Sequence, residues 1–180
     1  MAHIHELIDF TVAAYIVYEQ KVLLVHHKTL QQWLPVGGHI ELDEDPEEAL
    51  LREIAEESGI MGEDIAFLHP KPSVPGTWDF RSSHSSATEQ LFQSLHTPQF
   101  LNIHHIKGAH HHVSLDYVII AKHDRVSLNP CEHNDIRWFS IEELQSPNYR
   151  IPHNVRFYGT EALSLIHERT RSETMHDENA

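Results

Sequence analysis

The stretch from residue 41 to 64 constrains this chain more than any other. It carries eleven acidic side chains against one basic, Arg52, and so holds −10 of the net charge of −14. Within it the punctuation of a helix is complete. Asp45 can accept from the first unbonded backbone N–H groups, and Pro46 suits the first helical position because its missing N–H would have no partner there. Glu48 closes a capping box, and Gly59 can take the left-handed turn that ends a helix. The spacing predicts a helix over about 46–58.

At about 100° per residue, with Leu50 at zero, Ile54 falls near 40° and Leu51 near 100°, while Glu53, Glu56 and Glu57 fall near 300°, 240° and 340°. An apolar arc and a carboxylate arc therefore lie side by side. The three carboxylates repel one another by a few tenths of a kcal/mol per pair. They also occupy the half of the helix where the macrodipole favours cations, by about 0.3–1 kcal/mol per charge. Glu47 and Glu48, in the first turn, sit where the dipole favours them. Most acidic helices are simply solvated faces, so it is the misplacement that points to a site: a divalent cation would relieve it. Oxygen donors with no Cys nearby select a hard ion, Mg²⁺ or Mn²⁺. Such an ion would in turn hold phosphate oxygens, and the Gly37-Gly38 pair just upstream lets backbone turn tightly or approach closely. Replacing Glu56 or Glu57 by Gln is expected to lower turnover while leaving stability unchanged or slightly higher.

Around this segment the chain reads as an α+β single domain. Residues 10–25 form two apolar, β-branched runs around Glu19-Gln20, which predicts an antiparallel hairpin. Central strands are expected at 100–106 and from His111 to Lys122, and a short strand at 136–139 precedes a second capping box, Ser140 with Glu143. A last helix is expected from about Pro152, with a frayed tail after Ser172. The polar stretch from 61 to 100 has no clear period. It reads as an inserted loop with one short helix near Glu89 to Leu95, and 69–109 is the variable part of a domain spanning 1–171, with 172–180 as a flexible tail.

Charge and composition exclude several classes. A strongly acidic chain has no general attraction to duplex nucleic acid or to an anionic membrane surface. The single Cys131 can form no internal disulfide, and no apolar run approaches the ~18 residues of a membrane span. Glu6 and Asp9 come before any Lys or Arg, the reverse of a leader peptide, so a cytoplasmic location is expected. Histidine is abundant, with 18 copies. His39 and the run His110 to His112 could touch a ligand, but composition alone favours surface and core-edge roles over a zinc cluster. Trp33, Trp78, Phe80 and Tyr117 could stack a nucleobase, although core packing is the favoured reading of buried aromatics.

From Gly38 to Ile60 the residues fit the pattern Gx5Ex7REUxEExGU, with U a bulky aliphatic residue, at all nine fixed positions: Gly38, Glu44, Arg52, Glu53, Ile54, Glu56, Glu57, Gly59 and Ile60. The chain thus resembles the Nudix hydrolases, MutT-like members included, over roughly residues 10–169. The resemblance implies the Nudix fold, an α/β/α sandwich with a mixed β-sheet and the box as a loop-helix-loop. It also implies a hydrolase that cleaves the pyrophosphate bond of a nucleoside diphosphate linked to another moiety, such as a nucleoside triphosphate, a nucleotide sugar or ADP-ribose. Carried over position by position, it makes Glu53, Glu56, Glu57 and the main chain at Gly38 ligands of Mg²⁺ or Mn²⁺. Glu44 and Arg52 would orient that shell by ion pairing, and Gly37, Gly38 and His39 would lie against the substrate. The base would be Glu53 or Glu56, with Glu132, six residues before Trp138, as an additional ligand or base. A nucleotide-type small molecule is the implied partner, and relatives often pair as homodimers. Two other readings are a Nudix-fold sensor that binds a nucleotide without turnover and an RNA 5′-end pyrophosphohydrolase. The intact box and the lack of a basic appendage weigh against the first, and the acidic surface weighs against the second.

Overall fold

The structure, a computed structural model, describes residues 7–71 and 94–177. Eight strands run in chain order: β1 (Ile8–Tyr18), β2 (Lys21–His27), β3 (Gln32–Leu34), β4 (Val36–His39), β5 (Ile65–Phe67), β6 (Phe100–Lys107), β7 (His110–Ala121) and β8 (His133–Phe139). Among the described residues three α-helices accompany these strands: α1 (Pro46–Ser58), α2 (Ile141–Gln145) and α3 (His153–Asp177).

A parallel pair, β1 beside β7, is the spine of the sheet, in register from Ile8 opposite His111 to Val17 opposite Ile120. Each spine strand shares its outer edge between two partners. The first half of β1 pairs with β4, the end of β1 with β2, the first part of β7 with β6 and its end with β5, all antiparallel. Strand β2 then continues along β8 and β3.

Because successive strand side chains point to opposite faces, β1 serves two cores. Val12, Ala14 and Ile16 face α1, packing with Leu50 and Ile54. Tyr15 and Val17 face the α2–α3 side, with Phe139, Leu144, Val155 and Ala162. Coverage on both faces explains why β1 reads as a nearly unbroken apolar run. The resulting architecture is the expected α+β arrangement, a mixed sheet with helices on both faces.

Both predicted capping boxes form. Asp45 accepts from the N–H groups of Glu47 and Glu48 at 2.8 and 2.9 Å, Glu48 accepts from Asp45 N–H at 2.8 Å, and Gly59 closes the helix at φ 69°. Ser140 and Glu143 repeat the exchange at the start of α2, at 3.3 and 3.0 Å.

The antiparallel hairpin expected around Glu19-Gln20 forms, two residue pairs deep, with β4 along the first half of the β1 edge. The structure corrects three other expectations. Strand β6 is not central: among the described residues it pairs with β7 alone, and Leu101 and Ile103 are exposed. Strand β5 falls inside the stretch read as a loop, too short at three residues to show a period. The last helix continues to Asp177 instead of fraying after Ser172. The short helix expected near Glu89 to Leu95 lies mostly outside the described residues, and Ser94 and Leu95 are not helical. No helix among the described residues is long and apolar enough to cross a membrane.

Candidate active site

The two glycines that precede the acidic helix lie in strand β4, with no turn between them. Gly37 sits at φ 153°, and a Cβ there would meet Val12 O at 2.2 Å. A Cβ on Gly38 would lie 2.2 Å from Glu53 Oε1. Of the two uses the sequence allowed for this pair, close approach is the one realised, by the β1 backbone at Gly37 and by the Glu53 side chain of α1 at Gly38.

Helix periodicity decides which carboxylates come inward. Glu53 and Glu57, one turn apart, follow Leu50 and Ile54 into the interior, while the side chain of Glu56 remains 54% exposed. Glu57 accepts from Gly37 N–H at 3.0 Å and from His133 Nε2 at 2.6 Å. Glu53 accepts from Arg52 Nη1 at 2.7 Å. Burial pushes the Glu53 carboxyl up to about 7, and the Arg52 contact only partly offsets this.

Arg52 ties the loop to the helix. Its Nε and Nη2 donate to the two oxygens of Glu44 at 2.6 and 2.9 Å, a bidentate pair, and Nη2 also donates to the carbonyl of His39 at 3.1 Å. Nη1 reaches Glu56 at 3.4 Å. These bonds hold the Glu44 carboxyl below the usual carboxylate range and keep the guanidinium charged. Such geometry fixes where Glu53 can point.

The structure brings most of the sequence-nominated residues to one place, with the exposed Glu56 outside the cleft lining. Gly37, Gly38, His39, Glu53, Glu57 and Glu132 line a cleft of about 430 Å³, and Arg52 with Glu44 backs it. The cleft floor is the α3-side face of the sheet, through Thr11, Ala13 and Tyr15 of β1, Ser114 and Asp116 of β7, and Asn102 of β6. Glu53 and Glu57 belong to the helix on the other face and reach the cleft at the bare backbone of β4. Glu132 has a carboxylate oxygen within 4.8 Å of donor atoms on both Glu57 and His133.

Several residues of this site were not found by sequence reasoning. His133, 2% exposed, holds Glu57 from 76 positions away, and nothing in its neighbourhood signals that partner. Outside the cleft lining, Glu47 also turns inward at 9% exposure and pairs with Lys71 at 2.6 Å and with His96 Nδ1 at 2.9 Å. Asp116 is buried, accepts from Asn102 Nδ2 at 2.9 Å and from Ser114 Oγ, and is pushed up to about 6 by burial. Of the aromatic candidates, Trp33 packs in the core against Phe139 with ring centroids 4.9 Å apart, and Tyr117 is core at 2% exposure. Trp78 and Phe80 lie outside the described residues.

Known proteins share this architecture. The NUDIX domain model matches residues 9–158. A NUDIX-family hydrolase from Clostridium perfringens is 32% identical, with a TM-score of 0.67 over 88% of this chain and 97% of its own. The C. elegans Ap4A hydrolase in a binary complex is 15% identical, with a TM-score of 0.60 over 91% and 98%. The NUDIX domain of Shewanella oneidensis NrtR, complexed with ADP ribose, is 16% identical, with a TM-score of 0.58 over 92% and 90%. These last two share the fold alone. Among curated proteins nothing matches the chain. The chain belongs to the Nudix family, and by class it is a pyrophosphohydrolase.

Proposed function

We propose that this protein is a divalent-metal-dependent hydrolase that cleaves the pyrophosphate bond of a nucleoside diphosphate joined to a second moiety. The observation that carries the proposal is the pair of inward carboxylates, Glu53 and Glu57, held against the glycine backbone of β4 at the wall of the cleft. Buried carboxylates one helical turn apart repel each other, and a hard cation is the partner that offsets both the repulsion and the burial. The donor set fits Mg²⁺ or Mn²⁺, since it is all oxygen: Glu53, Glu56 and Glu57, with a main-chain carbonyl at Gly38. The space a Gly38 Cβ would fill is taken by Glu53, which supports the reading that this carboxylate must sit close to the main chain.

When bound, such an ion would draw in the pyrophosphate oxygens, screen the charge on the departing phosphate and acidify a water. The chain's own groups do the rest. Arg52, locked to Glu44, orients Glu53, and His133 with Gly37 N–H orients Glu57. For the proton of the attacking water, Glu53 comes ahead of Glu56 and Glu132. It lines the cleft and is held in place by Arg52, whereas the Glu56 side chain is exposed. His39 and the amide of Asn102, both in the cleft lining, are the groups proposed to touch the substrate.

The cleft volume suits a nucleotide-sized ligand. That the similar folds include an Ap4A hydrolase and an ADP-ribose-binding domain supports dinucleotide-type substrates as the first to try. The test is a panel of ADP-ribose, diadenosine tetraphosphate, nucleotide sugars, nucleoside triphosphates and 5′-triphosphate RNA, incubated with Mg²⁺, Mn²⁺ or a chelator and resolved by chromatography. Hydrolysis of at least one compound, abolished by chelation, is expected. Ligands that raise the melting temperature without any being cleaved would support the sensor reading instead.

A further inference from the structure

Several of the histidines that composition assigned to the surface and core edge meet in one place. Across four neighbouring strands, β4, β1, β7 and β6, the pairing registers set His39, Asp9, His112 and His104 into one patch. Asp9 is opposite His112, His112 is opposite His104, and His39 is opposite Thr11, two residues along from Asp9 on the same face. Ring centroids separate His39 from His112 by 4.8 Å, His110 from His112 by 5.2 Å and His104 from His112 by 5.6 Å.

Asp9 anchors the patch. Its side chain is 1% exposed, and its Oδ2 lies 3.5 Å from His39 Nε2 and 3.2 Å from His110 Nε2. One donor atom from each of Asp9, His39 and His112 falls within 4.8 Å of the others. A tetrahedral ion with bonds of about 2.0–2.2 Å keeps its ligand atoms roughly 3.3–3.6 Å apart. Two of the Asp9 separations are thus already close to what an ion would impose. A buried carboxylate ringed by imidazoles also has the donor chemistry of a borderline ion, whereas the oxygen-only set on α1 has that of a hard one.

We propose that Asp9, His39 and His112 form a second metal centre, for Zn²⁺ or a similar borderline transition-metal ion, with His110 as the adjacent fourth donor. It is chemically separate from the carboxylate site and does not depend on the proposed hydrolysis. The two sites share residue 39: the imidazole belongs to this centre, and the carbonyl accepts from Arg52, which orients Glu53. An ion held here would fix His39 at the cleft wall from the side opposite the box.

The experiment titrates Zn²⁺ into the full-length protein by calorimetry, with saturating Mg²⁺ present throughout to occupy the carboxylates. Metal content after dialysis is read by mass spectrometry. The wild type is expected to retain one Zn²⁺ that is lost, with affinity falling more than about 100-fold, in H39A and in H112Q. The same ion should persist in the box variant E53Q/E57Q and in H105A/H111A, which removes another histidine pair of β6 and β7, with ring centroids 5.5 Å apart. Melting curves of the metal-free variants control for folding, and Co²⁺ substitution, read by its ligand-field absorption, reports imidazole coordination in the wild type directly. Unchanged stoichiometry and affinity in both H39A and H112Q would overturn the proposal, as would loss of the ion in E53Q/E57Q with retention in the histidine variants. If Asp9 serves only protonated histidines, no Zn²⁺ is retained at neutral pH, which also overturns it.

Discussion

The two halves of α1 carry the same residue type under opposite physics. In the first turn Asp45, Glu47 and Glu48 have backbone N–H groups or cations to answer them: Asp45 and Glu48 close the capping box, and Glu47 meets Lys71 and His96. In the last two turns Glu53, Glu56 and Glu57 face the negative end of the helix dipole; Glu53 and Glu56 share one arginine, and Glu57 is held by His133 and Gly37 N–H. The first group builds the helix and the second is tolerated by it. The contrast teaches that acidic content alone says little: position along the dipole separates carboxylates that hold a fold from those held for another purpose.

The comparison is broken or sharpened by substitution. The largest effect is expected from Glu57→Gln and Glu53→Gln, each lowering kcat by roughly a thousand-fold or more, about 4 kcal/mol of activation free energy, with the fold intact. Steady-state kinetics alongside thermal melting checks this, and a fully active Glu57→Gln protein would remove the functional half of the comparison. The expectation of a stability gain now applies to exposed Glu56 alone. Glu57 accepts two hydrogen bonds, so replacing it is expected to cost stability slightly.

Gly38→Ala comes next. Its Cβ would displace the Glu53 carboxylate from 2.2 Å away, and because that group is the far end of a flexible side chain, it can swing aside. Activity is expected to fall about a hundred-fold, some 2.7 kcal/mol, with little change in melting temperature. Equal loss of both would mean that the glycine serves only packing.

The third effect is on stability and pH. Glu53 is raised from 4.5 in the unfolded chain to about 7 when folded, so over that window the native state binds more protons. Stability of the metal-free protein should therefore be highest below about 4.5 as far as this group is concerned, and should fall as pH rises through 7, by about 2–3 kcal/mol. Denaturant melts at pH 5 and pH 8 measure it, and saturating Mg²⁺ is expected to flatten the slope. The smallest effect belongs to the other half of the helix: Glu48→Gln should cost only a few tenths of a kcal/mol, about one degree in Tm, and leave kcat unchanged. Lost activity there without unfolding would dissolve the division.

Much of this was legible in the residues, and the reason is range. A capping box spans three positions and a helical face repeats every three or four, so Asp45, Glu48, Gly59 and the carboxylate arc of Glu53, Glu56 and Glu57 are written locally, while the inward turn of Glu53 and Glu57 emerged with the fold. The bidentate grip of Arg52 on Glu44, eight positions away, was still readable because both fall inside the box. His133 was not, since its partner Glu57 is in a different element and only the pairing of β8 with β2 carries it there. Asp116 likewise looked like one polar residue in an apolar strand until Asn102 and Ser114 closed around it.

Residue identity and spacing alone determined the helix, its caps, the unusual placement of its acids and the kinship these imply, because each depends on neighbours a turn apart. Tertiary structure decided which glycine conformation was used, which histidines met Asp9 and which face of the sheet became the cleft floor. Those outcomes follow from strand register, where a slip of one residue turns every side chain to the opposite face, and register is fixed by the whole core together.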